Sequence, residues 1–138
     1  MPDPPDTRTV RLTWTGDLRF EGGAPDGPLT AIDADNTTAP GPMQQLLLAA
    51  GSCTGADLVG ILHKMQVDLR KLEIEAVGRR APDHPRRYLA IHLTFHIAGE
   101  GADEPKARRA IDLSITKYCS VLNSLNPDIP VTYELVLE

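Results

Sequence analysis

The chain is poor in aromatic mass. Its 138 residues include one tryptophan (Trp14), two phenylalanines (Phe20 and Phe95) and three tyrosines. A chain of this length has the size of one domain and buries roughly two thirds of its unfolded surface. A core is therefore expected, built mainly from Leu, Ile, Val, Ala and Met. There is no long basic run, and the formal charge of −5 is scattered. Nucleic-acid binding normally needs a clustered positive surface to displace phosphate counterions, so no nucleic-acid partner is expected. The densest basic group, Arg79, Arg80, Arg86 and Arg87, reads as a solvated turn between strands. The start, Met1-Pro2-Asp3-Pro4-Pro5-Asp6, lacks the basic segment and apolar run of a signal peptide, and residues 1–8 read as a flexible tail. The longest apolar stretch, Leu46 to Met65, approaches membrane-spanning length but contains Asp57, His63 and Lys64. Charge inside a lone membrane helix is costly, so the stretch reads as the buried helix of a soluble protein with no membrane partner. Cysteine is scarce too, with only two residues. Without a secretion signal they imply a reducing, cytoplasmic setting, where a cysteine pair more often does redox or metal chemistry than static cross-linking.

What is present reads as one α+β domain over residues 1–138, with elements in the order β-β-α-β-β-α-β and no internal repeat. Val10 to Phe20 alternates loosely as a strand, and Leu29 to Asp33 could form a second. A long helix starts at Pro42, where proline loses no hydrogen bond, and runs to about Met65. It is apolar nearly all round, as expected of a helix buried on most faces. Gly51 and Gly55, four apart, allow another backbone to come close. Leu72 to Val77 and Tyr88 to Ile97 alternate as an antiparallel hairpin, the second with Leu89, Ile91, Leu93, Phe95 and Ile97 on one face. Asp103 can cap a second helix with Pro105 in its first turn. Ala107, Ile111, Ile115, Tyr118, Leu122 and Leu125 follow its apolar face until Asn126-Pro127 stops it. Val131 to Leu137 is a final strand.

Each helix thus carries one thiol: Cys53 within Gly51-Ser52-Cys53-Thr54-Gly55, and Cys119 within Lys117-Tyr118-Cys119-Ser120. Helices packed about 8–10 Å apart can bring facing residues within disulfide reach, although two buried cysteines acting as small hydrophobes fit the pattern as well. The histidines build no rival site. His63 lies about 15 Å along the helix from Cys53. His92 and His96 share a strand face at about 13 Å, too far apart for one metal ion. No metal and no cofactor is expected. Asp57, one turn after Cys53, would raise a neighbouring thiol's pKa, or else pair with an arginine or cap a partner group.

The run from Gly41-Pro42-Met43 through Gly51-Ser52-Cys53-Thr54-Gly55-Ala56-Asp57 resembles the first signature of the OsmC/Ohr family. In that signature a proline opens the helix and the first cysteine follows eleven residues later. Ile111 to Val121, with Lys117-Tyr118-Cys119-Ser120, resembles the second signature, and Trp14 to Gly22 is similar to the family's first hairpin. The resemblance covers the chain from about Val10 to Leu137. It implies an OsmC-like fold with an antiparallel sheet and two Cys-bearing helices, assembled as an intertwined homodimer with its sites at the subunit interface. It also implies a peroxidase in oxidative-stress defence, with Cys53 as attacking and Cys119 as resolving thiol, a small hydrophobic hydroperoxide as substrate and an external thiol as reductant. The family's peroxidases usually carry a Glu nine or ten residues before the cysteine, holding an Arg from a preceding loop. Those positions here are Gln44 and Met43, and no arginine occurs between Arg19 and Arg70. Arg19 is the candidate substitute cation near Cys53. The alternative reading is a small-molecule binding protein of the same fold with little or no peroxidase action.

Overall fold

A computed structural model describes residues 6–138; the first five residues of the expected tail lie outside it. The contacts divide the chain into two compact units, Met1–Leu46 and Leu47–Glu138.

The first unit is a three-stranded antiparallel sheet of β1 (Arg11–Gly16), β2 (Arg19–Gly23) and β3 (Thr30–Asp33), in that order. The stretch read as one strand from Val10 to Phe20 is therefore two. Gly16 and Asp17 both have positive φ, 129° and 47°, which glycine and aspartate tolerate better than bulkier residues. They turn the chain so that Trp14 pairs with Phe20 across the hairpin. The described residues thus form six strands, not five. After β3, the buried carboxylate of Asp33 organises the following loop. It accepts from the backbone N–H groups of Asp35, Thr37 and Thr38 at 2.9, 3.3 and 2.9 Å, and from the Thr37 and Thr38 hydroxyls at 2.8 and 2.9 Å. These donors favour the charged form and hold the Asp33 carboxyl far below the usual carboxylate range. This unit also leaves apolar surface open, with Leu12 and Trp14 being 60% and 66% exposed.

Helix α1 (Pro42–Lys64) begins at the end of the first unit and carries most of its length in the second. Its buried residues are Ala50, Gly51, Thr54, Gly55, Leu58 and Leu62, one face at helical spacing. Leu48 and Val59 are exposed, so within one chain the helix is buried on one face only, against the reading of burial nearly all round. By length and composition α1 could cross a membrane, a test that the core helix of a soluble protein also passes. Among the described residues, no second backbone comes close at its glycines: a Cβ at Gly55 would sit 3.1 Å from the side-chain Ile74 Cδ1, and one at Gly51 3.8 Å from Ile74 Cγ2, so the room is filled by the Ile74 side chain.

The second unit is built on the long antiparallel hairpin of β4 (Asp68–Arg80) and β5 (Tyr88–Glu100), with Ile74 opposite Phe95. The last strand, β6 (Val131–Leu137), joins β5 in parallel, so this sheet is mixed, not purely antiparallel. Sequence alternation shows which side of a strand is buried but not its direction. Ile91, Leu93, Phe95 and Ile97 are at most 1% exposed and form the core with Leu58, Leu62, Ala107, Ala110 and Ile111. Phe95 meets Tyr133 edge to face at 6.1 Å. The opposite face is polar: His92 bonds Thr132 at 2.7 Å and His96 bonds Glu138 at 2.9 Å. The arginine-rich turn is tied to its own backbone, Arg80 Nε donating to the Arg86 carbonyl at 2.9 Å and Arg86 Nε to that of Ala81 at 3.3 Å.

The second predicted helix begins as expected. Helix α2 (Glu104–Leu113) is capped by Asp103, whose carboxylate accepts from Lys106 N at 2.9 Å. It does not run unbroken to Leu125. Ser114–Tyr118 widens into a π turn, Cys119 is extended at φ −70° and ψ 101°, and a short helix α3 (Ser120–Ser124) follows. The Cys119 N–H donates five residues back, to the Ser114 carbonyl at 2.7 Å. The Thr116 hydroxyl donates to the Asp112 carbonyl at 2.6 Å, a side-chain bond that loosens a helical ladder. Single-turn π insertions of this kind often accompany functional positions.

Candidate functional site

The two cysteines are both free thiols, and they differ in exposure. Cys53 is half-buried on α1, while Cys119 is fully buried. Cys119 was expected on a helix; it lies between two helical segments and caps the second. Its Sγ accepts from Leu122 N at 3.4 Å and from the Thr54 hydroxyl at 3.3 Å, and its S–H points to the Ala50 carbonyl at 4.0 Å. Ala50 and Thr54 are one turn apart on α1 and flank Cys53. The same short segment therefore carries one thiol and holds the other.

Burial pushes the Cys119 thiol above its ordinary range. The hydrogen bonds from Thr54 and from the Leu122 backbone oppose that shift, and the neighbouring Cys53 adds to it. Cys119 is thus a protonated thiol at neutral pH, held against the helical turn that carries the more accessible one. A reaction on Cys53 has a second thiol waiting beside it.

The asymmetry has a measurable consequence. With the protein folded near neutral pH, iodoacetamide is expected to label Cys53 first. Cys119 should react at least about a hundred-fold more slowly, because a buried group reacts only through local opening. Peptide mapping by mass spectrometry after timed labelling reads the two rates.

Asp57 is the partner cap that the sequence left open. Its carboxylate accepts from the hydroxyl of the buried Ser114 at 2.8 Å and ties α1 to the π turn beside Cys119. An open cleft of about 530 Å3 lies along this part of α1. Its apolar lining includes Ile61, Met65 and Leu113, and its polar lining is Asp57, Lys64, Arg109 and Tyr118.

Arg19 lies in the first unit, on β2, about half exposed, with Nη2 3.3 Å from Asp17 Oδ2. Met43 and Gln44 open α1, whose first turn holds no acidic residue. The neighbouring Gln45 has a role that sequence reading missed: its side-chain amide donates to the carbonyls of Ala31 and Pro40 at 3.0 and 3.3 Å, pinning the loop to the helix start. Thr54 was missed as well. A threonine in an apolar helix gives no signal of its own, and only the fold reveals that its hydroxyl meets a sulfur. Among the described residues, no cluster of three or more His, Cys, Asp or Glu side chains could hold a metal ion.

Comparison with known proteins places the chain in a wider group. A family model described as OsmC, OsmC-like protein, matches residues 34–134. The chain is 35% identical over 130 residues to Protein YhfA of Escherichia coli K12, covering 92% of this chain and 97% of that one. The crystal structure of an OsmC-like protein from Mycoplasma pneumoniae superposes with a TM-score of 0.83 at 17% identity, over 97% of this chain and 99% of the other. The organic hydroperoxide resistance protein OhrB of Bacillus subtilis gives 0.63 at 20% identity, over 95% and 98%. At such identities the two structures speak to the fold alone.

Proposed function

This chain belongs to the OsmC-like family, and from that premise we propose that it is a thiol-dependent peroxidase reducing organic hydroperoxides in oxidative-stress defence. The observation that carries the reading is a half-buried free thiol, Cys53, on the helical turn whose Ala50 and Thr54 hold a fully buried second thiol, Cys119. The Cys53 thiolate attacks one peroxide oxygen, the O–O bond breaks, and the departing alkoxide takes up a proton to become an alcohol. Cys53 is left as a sulfenic acid. Cys119 then attacks the Cys53 sulfur; a disulfide forms and the hydroxyl leaves as water. An external thiol restores both cysteines by exchange. Free thiols of this kind fit a reducing cytoplasm. The family match starts in the first unit and runs to residue 134, in keeping with one OsmC-like domain over 1–138.

The substrate class follows from chemistry and surroundings. The exposed apolar residues Leu48 and Val59 on the helix that carries Cys53 favour a small hydrophobic hydroperoxide over hydrogen peroxide. The alkoxide needs positive charge or donors as it forms, and Arg19 is proposed as that cation. Consumption assays with cumene hydroperoxide and hydrogen peroxide test the reading together. The alkyl peroxide should react faster, and Arg19→Ala should slow it about ten-fold or more, equivalent to about 1.4 kcal/mol of transition-state stabilisation. Equal, slow consumption by wild type and Cys53→Ser would favour the second reading, a small-molecule binding protein. That reading draws on Met43 and Gln44 standing where peroxidase relatives have a carboxylate.

A homodimer belongs to the same proposal. Leu12 and Trp14 in the first unit, and Leu48 and Val59 on α1, are each more than half exposed. These are the large apolar side chains that a second copy is proposed to cover. Light scattering at micromolar concentration should give twice the chain mass of 15.0 kDa; a stable monomer would contradict it.

A further inference from the structure

We propose that Thr54 is a positioning residue for the second step of the cycle, its hydroxyl holding Cys119 Sγ on line for attack on oxidised Cys53. The inference rests on the peroxidase reading for its oxidant, but its geometry stands independently. Thr54 and Cys119 are both fully buried, and the Thr54 hydroxyl donates to Cys119 Sγ at 3.3 Å. A helical threonine commonly returns its hydroxyl to a carbonyl one turn back; here the hydroxyl reaches across to a sulfur 65 positions away in sequence. Thr54 also directly follows Cys53, so the residue that carries the oxidised sulfur and the one that orients its attacker are covalent neighbours.

The chemistry explains why a donor is needed there. Cys119 must lose its proton and carry negative charge on sulfur before the new S–S bond forms and the S–O bond of Cys53 breaks. The proton and the departing hydroxide leave as water. Burial disfavours that charge. Two donors offset it, the Thr54 hydroxyl and the Leu122 backbone N–H. The backbone donor comes with the α3 cap and is independent of side-chain identity; the Thr54 hydroxyl can be removed by one substitution. Thr54 itself never touches the peroxide in this scheme, so its effect belongs to the resolving step.

The test reads the two steps separately. Thr54→Val is nearly isosteric but has no donor, and Thr54→Ser keeps the donor. One arm adds cumene hydroperoxide, follows Cys53 sulfenic acid by dimedone trapping, and follows the disulfide by loss of free thiols. The second arm drives Cys53–Cys119 disulfide formation with diamide, which needs no peroxide. The expected result is that Thr54→Val slows disulfide formation about ten-fold or more in both arms, the effect of losing one hydrogen bond to the charged sulfur. Its rate should also rise at higher pH than that of wild type, and Thr54→Ser should recover most of the loss. A shift in pH profile, rescued by serine, is not what a merely loosened core would give. Disulfide formation in Thr54→Val at the wild-type rate, with the same pH profile, overturns the inference. If wild type ignores the hydroperoxide, the peroxidase reading fails by itself, and the diamide arm still decides on Thr54.

Discussion

Cys53→Ser is expected to abolish hydroperoxide consumption altogether, because only that thiol is both accessible and paired with a second one. A serine hydroxyl at the same place is a far weaker nucleophile at neutral pH. Cys119→Ser should behave differently. Its first oxidation still occurs, and the sulfenic acid has no resolving partner, so turnover stops after about one equivalent of peroxide. At high peroxide the acid advances to sulfinic acid. A stopped-flow trace of peroxide loss, with dimedone labelling, separates the two variants. Full turnover in Cys119→Ser with an ordinary thiol reductant would place resolution outside the chain.

The second large effect concerns stability. Phe95 is fully buried at the centre of β5, opposite Ile74 and Leu135 and edge-to-face with Tyr133. Phe95→Ala is expected to destabilise the fold by about 3–5 kcal/mol, through lost transfer energy and the cavity left behind. Against a total of about 5–15 kcal/mol for a typical protein, that brings unfolding close to ambient conditions. Urea denaturation followed by circular dichroism measures the change. Glu75→Ala, at an exposed position of β4, should stay within about 0.5 kcal/mol. Similar losses in both variants would mean that β5 is not the centre of the core.

Hydrophobic periodicity carried much of the fold. The alternation of Ile91, Leu93, Phe95 and Ile97 marked the buried face of β5, and Pro42 and Asp103 marked the starts of α1 and α2 where the structure has them. What the sequence hid depends on backbone geometry or long-range pairing. The break at Gly16-Asp17 lies inside a stretch that still alternates, so two strands read as one. The π turn before Cys119 has no glycine or proline to announce it. A parallel and an antiparallel β6 would share the same alternation, so its direction could not be read.

The candidate site divides in the same way. The two cysteines stood out through their motifs. The burial of Cys119, the Thr54 hydroxyl bond and the Asp57–Ser114 tie arise from contacts between residues more than fifty positions apart. No local pattern encodes such contacts. The acid-free first turn of α1 was legible at once, because it is a matter of which residues stand at Met43 and Gln44.

The central claim is a peroxide-driven bond between the two thiols of one chain. Intact-mass spectrometry tests it most directly. Reduced protein is treated with one equivalent of cumene hydroperoxide, quenched with an alkylating agent, and its mass is measured. The proposal expects a chain lighter by two hydrogens, carrying no alkyl label, with Cys53 and Cys119 recovered in one disulfide-linked peptide pair. A doubly alkylated chain of otherwise unchanged mass, with the hydroperoxide still present, would contradict it.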